Sequence, residues 1–288
     1  MPGGTWTVQN KVRPGVYINF KSDRQSLGTL GERGIVSLPL ALSWGPAKQV
    51  IAVEAGADTF DTLGYSITAP QLLLVREALK RARTLLLYRL NAGVKATATI
   101  GTMTVTAKYG GVRGNDISIV VETNIDDSAK FDVKTLVSGQ EVDSQTVETI
   151  EELQSNNWVD FSGSGTLTTT AGTPLTGGDD GSVTQQDYLD YLAAIEVYEF
   201  NTIGLTATDS ATKAVFVSFA RRLRDDEGKK IQIVMENYPE ADYEGVISVK
   251  NGVVLSDGTT LTAAQAVAWV AGATAGAAAN QSLTYDAY

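Results

Sequence analysis

The sequence predicts a mixed fold of the α+β or α/β class, made of an extended N-terminal arm, an α/β core, and an inserted β-rich domain that is sandwich- or barrel-like. Strand and helix patterns alternate over residues 23–95 and again over residues 183–288, as is typical of α/β layers. Residues 96–182 are instead rich in Thr, Gly, Val and Asp and have short apolar runs with strand character. Residues 1–22 follow a two-residue period.

The arm, residues 1–22, is predicted because apolar residues occupy most even positions from Trp6 to Phe20. This period places one apolar face on an extended strand. Proline lacks the N–H donor that a strand ladder needs, so Pro14 and Gly15 divide the segment into two shorter pieces. Taken alone, the pattern favours a first strand that folds into its own domain over a strand that pairs with another molecule.

The first part of the core, residues 23–95, contains three predicted strands and one helix. Short apolar runs at residues 34–40, 49–53 and 85–90 predict buried strands. Proline is favoured in the first turn of a helix, so Pro70 opens a helix predicted over residues 71–83.

The inserted domain, residues 96–182, is predicted to contain strands at residues 98–107, 116–122 and 131–137. One helix is predicted over residues 146–153, capped by Ser144 and presenting Val147, Ile150 and Leu153 on one side. Glycine-rich turns close the domain.

The second part of the core, residues 183–288, resumes the alternation. Two capping boxes, Thr184 with Asp187 and Thr262 with Gln265, predict helix starts. Between these two helices the predicted elements are a strand at 200–205, a helix from 209 or 210 to 224, a strand at 231–235, and a hairpin within 245–255 that turns at Asn251-Gly252. Tyr285 to Tyr288 resemble the start of a further strand, so we expect this core to be truncated at its C-terminal end.

The composition excludes several classes of enzyme. The chain has no histidine and no cysteine, which removes Ser-His-Asp and Cys-His catalysis and metal sites with His or Cys ligands. The net charge of −10 argues against a general nucleic-acid binder. The charge is +6 over residues 1–95, −9 over 96–182 and −7 over 183–288, an asymmetry that would favour head-to-tail contact between copies.

Five motifs could serve as chemical sites, and none is favoured. The glycine-rich residues 110–116 lack the Lys-Ser/Thr of a phosphate loop and precede a strand, so a turn is predicted. The pairs Asp126-Asp127 and Asp179-Asp180 lack the ligand spacing of a calcium loop. The arginines at 221–224 indicate a charged helix end, and residues 256–258 a turn. The sequence therefore predicts no catalytic site, no metal and no cofactor.

Eight fragments, spread in order along the chain, together resemble one known family. They are Arg13-Pro14-Gly15-Val16-Tyr17-Ile18, Gly34-Ile35-Val36, Trp44-Gly45-Pro46, Tyr109-Gly110-Gly111-Val112-Arg113-Gly114-Asn115, Leu175-Thr176-Gly177-Gly178, Tyr198-Glu199-Phe200-Asn201, Arg222-Leu223-Arg224-Asp225-Asp226-Glu227-Gly228-Lys229-Lys230 and Val270-Ala271-Gly272-Ala273-Thr274-Ala275-Gly276. The chain resembles the contractile phage tail sheath proteins, specifically the compact sheaths of Gram-positive phages and phage-tail-like particles.

The resemblance implies a non-enzymatic structural subunit of the virion tail, made in the host bacterial cytoplasm. Such subunits stack in six-fold helical rings around the tail tube and contract to drive the tube through the host envelope. The implied partners are neighbouring sheath subunits, the tube protein, the baseplate and the tail terminator, with no nucleic acid and no membrane insertion. Since family members extend past Tyr288, we expect this chain to stay a monomer or small oligomer without forming tubes.

The resemblance also gives the arm a role, because terminal arms in this family lend strands to a neighbour's sheet. The arm's pattern meets the needs of such strand addition, in which main-chain bonds supply strength and an apolar face supplies register. The candidate subunit-linking residues are Trp6, Val8, Val12, Val16, Tyr17, Ile18 and Phe20.

Two other functions stay open from the sequence. Thr/Gly-rich strands with acidic turns also suit a cell-surface carbohydrate-binding or adhesive β-domain. An α/β hydrolase is the weaker alternative, because the chain offers no histidine to activate a serine.

Overall fold

The computed structural model describes residues 34–278, 281–284 and 286. The predicted arm and all of its candidate linking residues, from Trp6 to Phe20, lie outside the described residues. The described strands are β1 (Ile35–Leu40), β2 (Val50–Glu54), β3 (Thr84–Arg89), β4 (Thr97–Ile100), β5 (Met103–Ala107), β6 (Ile117–Thr123), β7 (Phe131–Val137), β8 (Gln140–Val147), β9 (Val159–Ser162), β10 (Thr170–Pro174), β11 (Thr202–Leu205), β12 (Gln232–Glu236), β13 (Val246–Val249), β14 (Val253–Val254) and β15 (Thr260–Leu261). The described α-helices are α1 (Phe60–Leu63), α2 (Leu73–Leu79), α3 (Gln185–Ile195), α4 (Ser210–Arg221) and α5 (Ala263–Gly276).

A six-stranded sheet in the order β13-β12-β11-β1-β3-β2 forms the centre of the α/β core. Its strands are parallel except β2, which runs antiparallel to β3 at one edge. The sheet combines strands from both sides of the inserted domain, since β3 and β11 flank β1. β1 and β3 read as continuous apolar runs because helices cover both faces of the sheet and bury nearly every side chain.

Two hydrophobic clusters hold the helices on the sheet. On one face, α2 and α5 pack on β1, β3 and β11 around Leu38, Leu85 and Val267. On the other face, α3 and α4 pack on the sheet around Tyr191 and Phe216, whose rings stack with centroids 5.9 Å apart. The result is a three-layer α/β/α arrangement.

The inserted domain is a β-sandwich. A four-stranded sheet, β10-β6-β7-β8, and a three-stranded sheet, β4-β5-β9, contribute to one hydrophobic cluster. Alternate residues of β6, which are Ile117, Ile119 and Val121, are buried, while the residues between them are half-buried. This two-residue period is that of a strand with one face on a core.

The predicted helix over residues 146–153 is wrong. Thr146 and Val147 instead complete β8, where they pair with Asp132 and Phe131 of β7. The only helical turn in this stretch is a 3₁₀ turn at Ile150–Glu152. Val147, Ile150 and Leu153 are all buried in one hydrophobic core. Their spacing therefore predicted burial correctly, but it predicted the wrong backbone conformation. The β-branched pair 146–147 favours the strand, and β7 supplies its partner.

The predicted hairpin that turns at Asn251-Gly252 is also wrong. The strand before this turn, β13, joins the six-stranded sheet in parallel beside β12. The strand after it, β14, pairs antiparallel with β15. The tight turn of that small hairpin contains Asp257, whose carboxylate accepts a hydrogen bond from the backbone N–H of Thr259. A strand edge offered by β12 thus outcompetes the local pairing that Asn-Gly favours.

Two smaller differences concern element lengths. The helix predicted over residues 71–83 begins as a 3₁₀ turn at Pro70–Leu72 and ends as α2 at Leu79. The strand predicted over residues 98–107 is divided into β4 and β5 by a hairpin turn at Gly101, which has a positive φ of 61°. The two predicted capping boxes are confirmed at the starts of α3 and α5.

Candidate functional site

Several motifs noted in the sequence meet where the sandwich joins the core, among them Trp44-Gly45-Pro46, the glycine-rich residues 110–116 and the pair Asp179-Asp180. We call this region the junction and define it as residues 42–45, 89–94, 109–113 and 178–180. The chain crosses it twice, once after β3 and once before α3. At the crossing Val94 and Asp179 exchange backbone hydrogen bonds, with N–O distances of 2.7 and 3.2 Å. The two crossing segments are therefore tied to each other.

Asn91 joins three segments of the junction. Its side-chain amide donates to the carbonyl oxygens of Leu42 (2.8 Å) and Asp180 (2.7 Å). Its side-chain oxygen accepts from the backbone N–H of Leu42 (2.8 Å). The Asn91 side chain is buried, so these bonds satisfy its amide groups in place of water.

Asp180 adds a second polar link. Its carboxylate accepts from the Ser43 hydroxyl (2.9 Å) and from the backbone N–H of Val112 (2.8 Å). The acidic pair Asp179-Asp180 thus has a structural role in the return crossing. Among the described residues no group of three or more Asp, Glu, His or Cys is placed to hold a metal ion.

Arg89, the last residue of β3, carries a buried positive charge into the junction. Its guanidinium donates to the carbonyl oxygens of Gly45 (2.9 Å) in the core and Gly110 (2.7 Å) in the sandwich. Burial lowers the pKa of Arg89 to about 10, and the negative charge of Asp180 opposes this shift. The side chain remains charged at neutral pH and bridges the two parts of the molecule.

The glycine-rich segment after β5 allows the sandwich backbone to pack closely against the loop after β1. Gly111 has a φ of +131°, and a Cβ there would lie 2.0 Å from the carbonyl oxygen of Ser43. Residues Val112–Asp116 then form a 3₁₀ turn that leads into β6. The turn predicted for this segment is confirmed, and its backbone packs against the core loop at a distance that a side chain would prevent.

Aromatic side chains fill the apolar half of the interface. Trp44, from the loop after β1, stacks on Trp158 of the sandwich with ring centroids 5.1 Å apart and meets the edge of Tyr109 at 5.4 Å. The ring of Phe60 in α1 also packs on Trp158, with ring centroids 5.0 Å apart. Trp44 belongs to the sandwich cluster although its chain segment belongs to the core.

Arg113 completes the interface from the sandwich side. Its Nε donates to the carbonyl oxygen of Gly64 (2.9 Å), and its guanidinium lies over the ring of Tyr65, 4.4 Å from the ring centroid. A further bond joins it to Asp116 (2.9 Å). Burial raises the pKa of the Tyr65 hydroxyl, and the charge of Arg113 opposes that rise.

The junction residues therefore make structural contacts between the sandwich and the core. The Asn91 amide and the terminal nitrogens of Arg89 bond to backbone groups of both parts, whereas Arg89 Nε and Trp44 Nε1 are buried without a hydrogen-bond partner in the described part of the chain. The sequence pointed to Trp44, Tyr109, the glycine-rich turn and Asp180, but it gave no role to Arg89 or Asn91. The only feature of the sequence that could have pointed to Arg89 and Asn91 is their position at the end of a predicted buried strand, just before the amino-acid composition changes.

The remaining charged motif, the arginines after α4, is a network of surface ion pairs. Arg222 bonds the carboxylates of Glu196 (2.7 Å) and Glu227 (2.8 Å), and Arg224 bonds the carbonyl oxygen of Ile231 (2.8 Å). The charged helix end predicted for this segment is found, with α4 continuing into a π-helical turn at Arg222–Asp226.

The described part of the chain contains no helix that is both long and apolar enough to cross a bilayer.

Models of three sheath-protein domains match the chain one after another. The tail sheath protein Gp18 domain III N-terminal region matches residues 33–90. The phage tail sheath protein β-sandwich domain matches residues 91–180, and the phage tail sheath protein central domain matches residues 181–288.

Two relatives from Bacillus subtilis match the whole chain. They are the phage-like element PBSX protein XkdK, with 46% identity, and the uncharacterized protein YqbK, with 45% identity. The chain spans 66% of the length of each.

Solved structures agree with these matches. The sheath tail protein of Desulfitobacterium hafniense is 68% identical with a TM-score of 0.87, over 94% of this chain and 65% of that one. The sheath tail protein Lin1278 of Listeria innocua is 49% identical with a TM-score of 0.78, over 87% of this chain and 58% of that one. The succession of three sheath domains along one chain, with this degree of identity, shows that the chain belongs to the phage tail sheath family, a family of structural, non-enzymatic proteins.

Proposed function

We propose that this protein is the repeating subunit of a contractile tail sheath, which stacks in six-fold helical rings around a tail tube and shortens to drive that tube through a bacterial envelope. Its partners are neighbouring sheath subunits, the tube protein, the baseplate and the tail terminator. Family membership carries this proposal and sets aside the carbohydrate-binding and hydrolase alternatives.

We assign the link between subunits to the N-terminal arm, which lends a strand to the sheet of a neighbour. The supporting observation is that β2 and β13 are the edges of the six-stranded sheet, with no other described strand on their outer sides. An open edge presents unpaired N–H and C=O groups that an incoming strand can bond. Each such bond contributes about 1 kcal/mol, so several bonds together with buried apolar side chains are needed to hold a subunit.

The junction supports the mechanical part of the proposal. A sheath subunit must pass force through its own body during contraction. Here Arg89, Asn91 and the Trp44–Trp158 stack connect sandwich and core through hydrogen bonds and ring packing. We infer that the two parts move as one body, while the links between subunits rearrange.

The experiment tests the arm in the full-length gene product by negative-stain electron microscopy. Ile18→Asp places a charge on the apolar face of the arm, and the matched control Asn19→Asp places the same charge on the polar face. We expect Ile18→Asp to abolish sheath tubes and Asn19→Asp to leave them intact, because a charge on the apolar face opposes burial against a neighbour. Tubes of normal length and number with Ile18→Asp would refute the assignment.

A further inference from the structure

A shallow apolar groove runs between α3 and α4 on the outer surface of the core. Its volume is about 350 Å³, and its floor and walls are mainly apolar. Leu189 is 40% exposed on one wall, and Leu192 and Phe219 form the floor. Val197 and Tyr198, just beyond α3, are 84% and 41% exposed. Exposed apolar side chains that adjoin a groove indicate a docking surface more than scattered single residues do.

The groove lies beside an acidic stretch of chain. Residues 185–205 include Asp187, Asp190, Glu196 and Glu199 and no Lys or Arg. Asp187 pairs with Lys48 and Glu196 with Arg222. Among the described residues, Asp190 and Glu199 have no ion-pair partner, so the surface retains negative charge.

The first described residues are bonded to the segment that follows α3, one of the two helices of the groove. The backbone N–H groups of Gly34 and Ile35 donate to the side-chain oxygen of Asn201, at 3.1 and 3.0 Å. Asn201 follows Tyr198 and Phe200, and these follow the C-terminal end of α3. Gly34, the first described residue, is therefore bonded to a residue that lies five positions along the chain from Glu196, which lines the groove.

Those preceding residues have the complementary chemistry. The two-residue period predicts that Val16, Ile18 and Phe20 share one face when the segment is extended, and residues 1–24 carry four basic residues against one acidic residue. The thirteen residues 21–33 can span at most about 43 Å, whereas α3, with 11 residues, is about 16 Å long. The whole groove is thus within reach of the same molecule.

Resting on the proposed role of the arm, we propose that in the unassembled subunit the groove between α3 and α4 holds the apolar face of the subunit's own arm, Val16, Ile18 and Phe20. The tether favours this internal docking over capture of another copy, because it acts as a millimolar effective concentration. The groove and the neighbour's sheet compete for one apolar face. Docking therefore keeps the face covered until assembly releases it.

Disulfide trapping tests this docking in dispersed subunits, because the chain has no cysteine of its own. The test variant carries Ile18→Cys with Ala193→Cys, which lies exposed in the groove. The control carries Ile18→Cys with Val254→Cys, which is 67% exposed on the β14–β15 hairpin. Under mild oxidation at low micromolar concentration, we expect the test pair to form an intramolecular disulfide at least ten times faster than the control pair.

Equal rates for the two pairs would overturn the proposal. A disulfide formed between two differently tagged molecules would also overturn it, because a second copy would then occupy the groove. A second measurement needs no cysteine: Leu189→Gln should speed trypsin cleavage after Lys11 and Lys21 several-fold, whereas Val254→Gln should not. Unchanged cleavage with Leu189→Gln would count against docking. Since these measurements use unassembled subunits, their failure would leave the sheath proposal to be judged by Ile18→Asp.

Discussion

Single buried polar residues hold the junction together where regular secondary structure ends. At the end of β3 the chain leaves the sheet, and the ladder no longer pairs the backbone of the loop after β1. Asn91 replaces these lost bonds with three of its own. Arg89 adds two more, one to each part of the molecule. The contribution of these residues to stability is set mainly by the free-energy cost of leaving buried polar groups without hydrogen-bond partners.

Asn91→Ala should therefore lower the free energy of unfolding by about 2–4 kcal/mol, because it leaves the buried N–H and C=O of Leu42 without partners. Urea denaturation followed by circular dichroism measures this change. The control is Asn157→Ala, because Asn157 is exposed and its side-chain amide lies 3.5 Å from the Asp61 carboxylate, too far for a strong hydrogen bond. Equal stability of the two variants would contradict the role given to Asn91.

The buried hydroxyl of Tyr191 should make the free energy of unfolding depend on pH in the alkaline range. Its hydroxyl is fully buried, 2.7 Å from the Ser37 hydroxyl, and burial raises the pKa of Tyr191 far above its ordinary value of 10.0, while the Ser37 bond opposes the rise. Above about pH 10 the unfolded chain loses this proton and the native chain keeps it. The free energy of unfolding then falls by about 1.4 kcal/mol per pH unit from this group.

Tyr191→Phe should remove that part of the slope. Urea unfolding at pH 8, 10.5 and 11.5 measures it, and Tyr198→Phe, which removes a hydroxyl from a side chain that is 41% exposed, serves as the control. We expect the Tyr191→Phe protein to be less stable by about 1 kcal/mol at pH 8, from the lost hydrogen bond, but less sensitive to alkali. An unchanged slope would show that Tyr191 titrates alike in the native and unfolded chains.

At the scale of elements, the contact between α2 and α5 depends on the absence of a side chain. A Cβ on Gly272 of α5 would lie 2.1 Å from the carbonyl oxygen of Ala78 in α2, and one on Gly276 would lie 2.0 Å from that of Arg81. The two helices therefore approach backbone to backbone on one face of the sheet.

Gly272→Ala should be destabilising by about 1–3 kcal/mol, because the added methyl group must push the helices apart. Helix propensity alone would favour Ala by about 1 kcal/mol. A net decrease in the free energy of unfolding would therefore show that the steric clash outweighs the gain in propensity. Ala264→Gly, at a half-buried position of the same helix, measures propensity there and should cost about 1 kcal/mol. Thermal unfolding of both variants checks the prediction, and a more stable Gly272→Ala protein would contradict it.

The elements also show where sequence patterns are informative. Continuous apolar runs identified β1 and β3, and capping boxes identified the starts of α3 and α5, because these signals depend on nearby residues alone. The pattern failed at residues 146–153 and at Asn251-Gly252. At residues 146–153 the preceding strand β7 forms a hairpin with β8, and at Asn251-Gly252 the strand β12 offers its edge to β13; pairing with these strands outweighs the preference that the sequence pattern indicated.

At the scale of the molecule, the sandwich is attached to the core by two adjacent crossings. Because Val94 and Asp179 already form a hydrogen-bonded pair, a two-residue turn can join them. We expect a chain in which Gly-Gly replaces residues 95–178 to retain the α/β/α layers, with far-UV circular dichroism of a folded α/β protein. Its free energy of unfolding should be lower by about 2–3 kcal/mol, because the Trp44 side chain becomes exposed to solvent when the sandwich is removed.

The counterpart, residues 92–181 alone, should fold as a β-sandwich, because the same crossing bonds hold its ends together. Cooperative thermal unfolding of each piece is the measurement. If the shortened core were unfolded while the sandwich folded, the α/β/α layers would depend on the sandwich for their stability.

The sequence by itself determined the fold class, the absence of His and Cys chemistry, most strands and helices, and, through its fragments, the resemblance to sheath proteins. These conclusions follow from composition and from periods that span a few residues. The tertiary structure decided the strand order, the entry of β13 into the sheet, and the junction built by Arg89, Asn91 and Asp180. Residues 89 positions apart meet at that junction because folding closes loops, and loop closure leaves no periodic trace in the sequence.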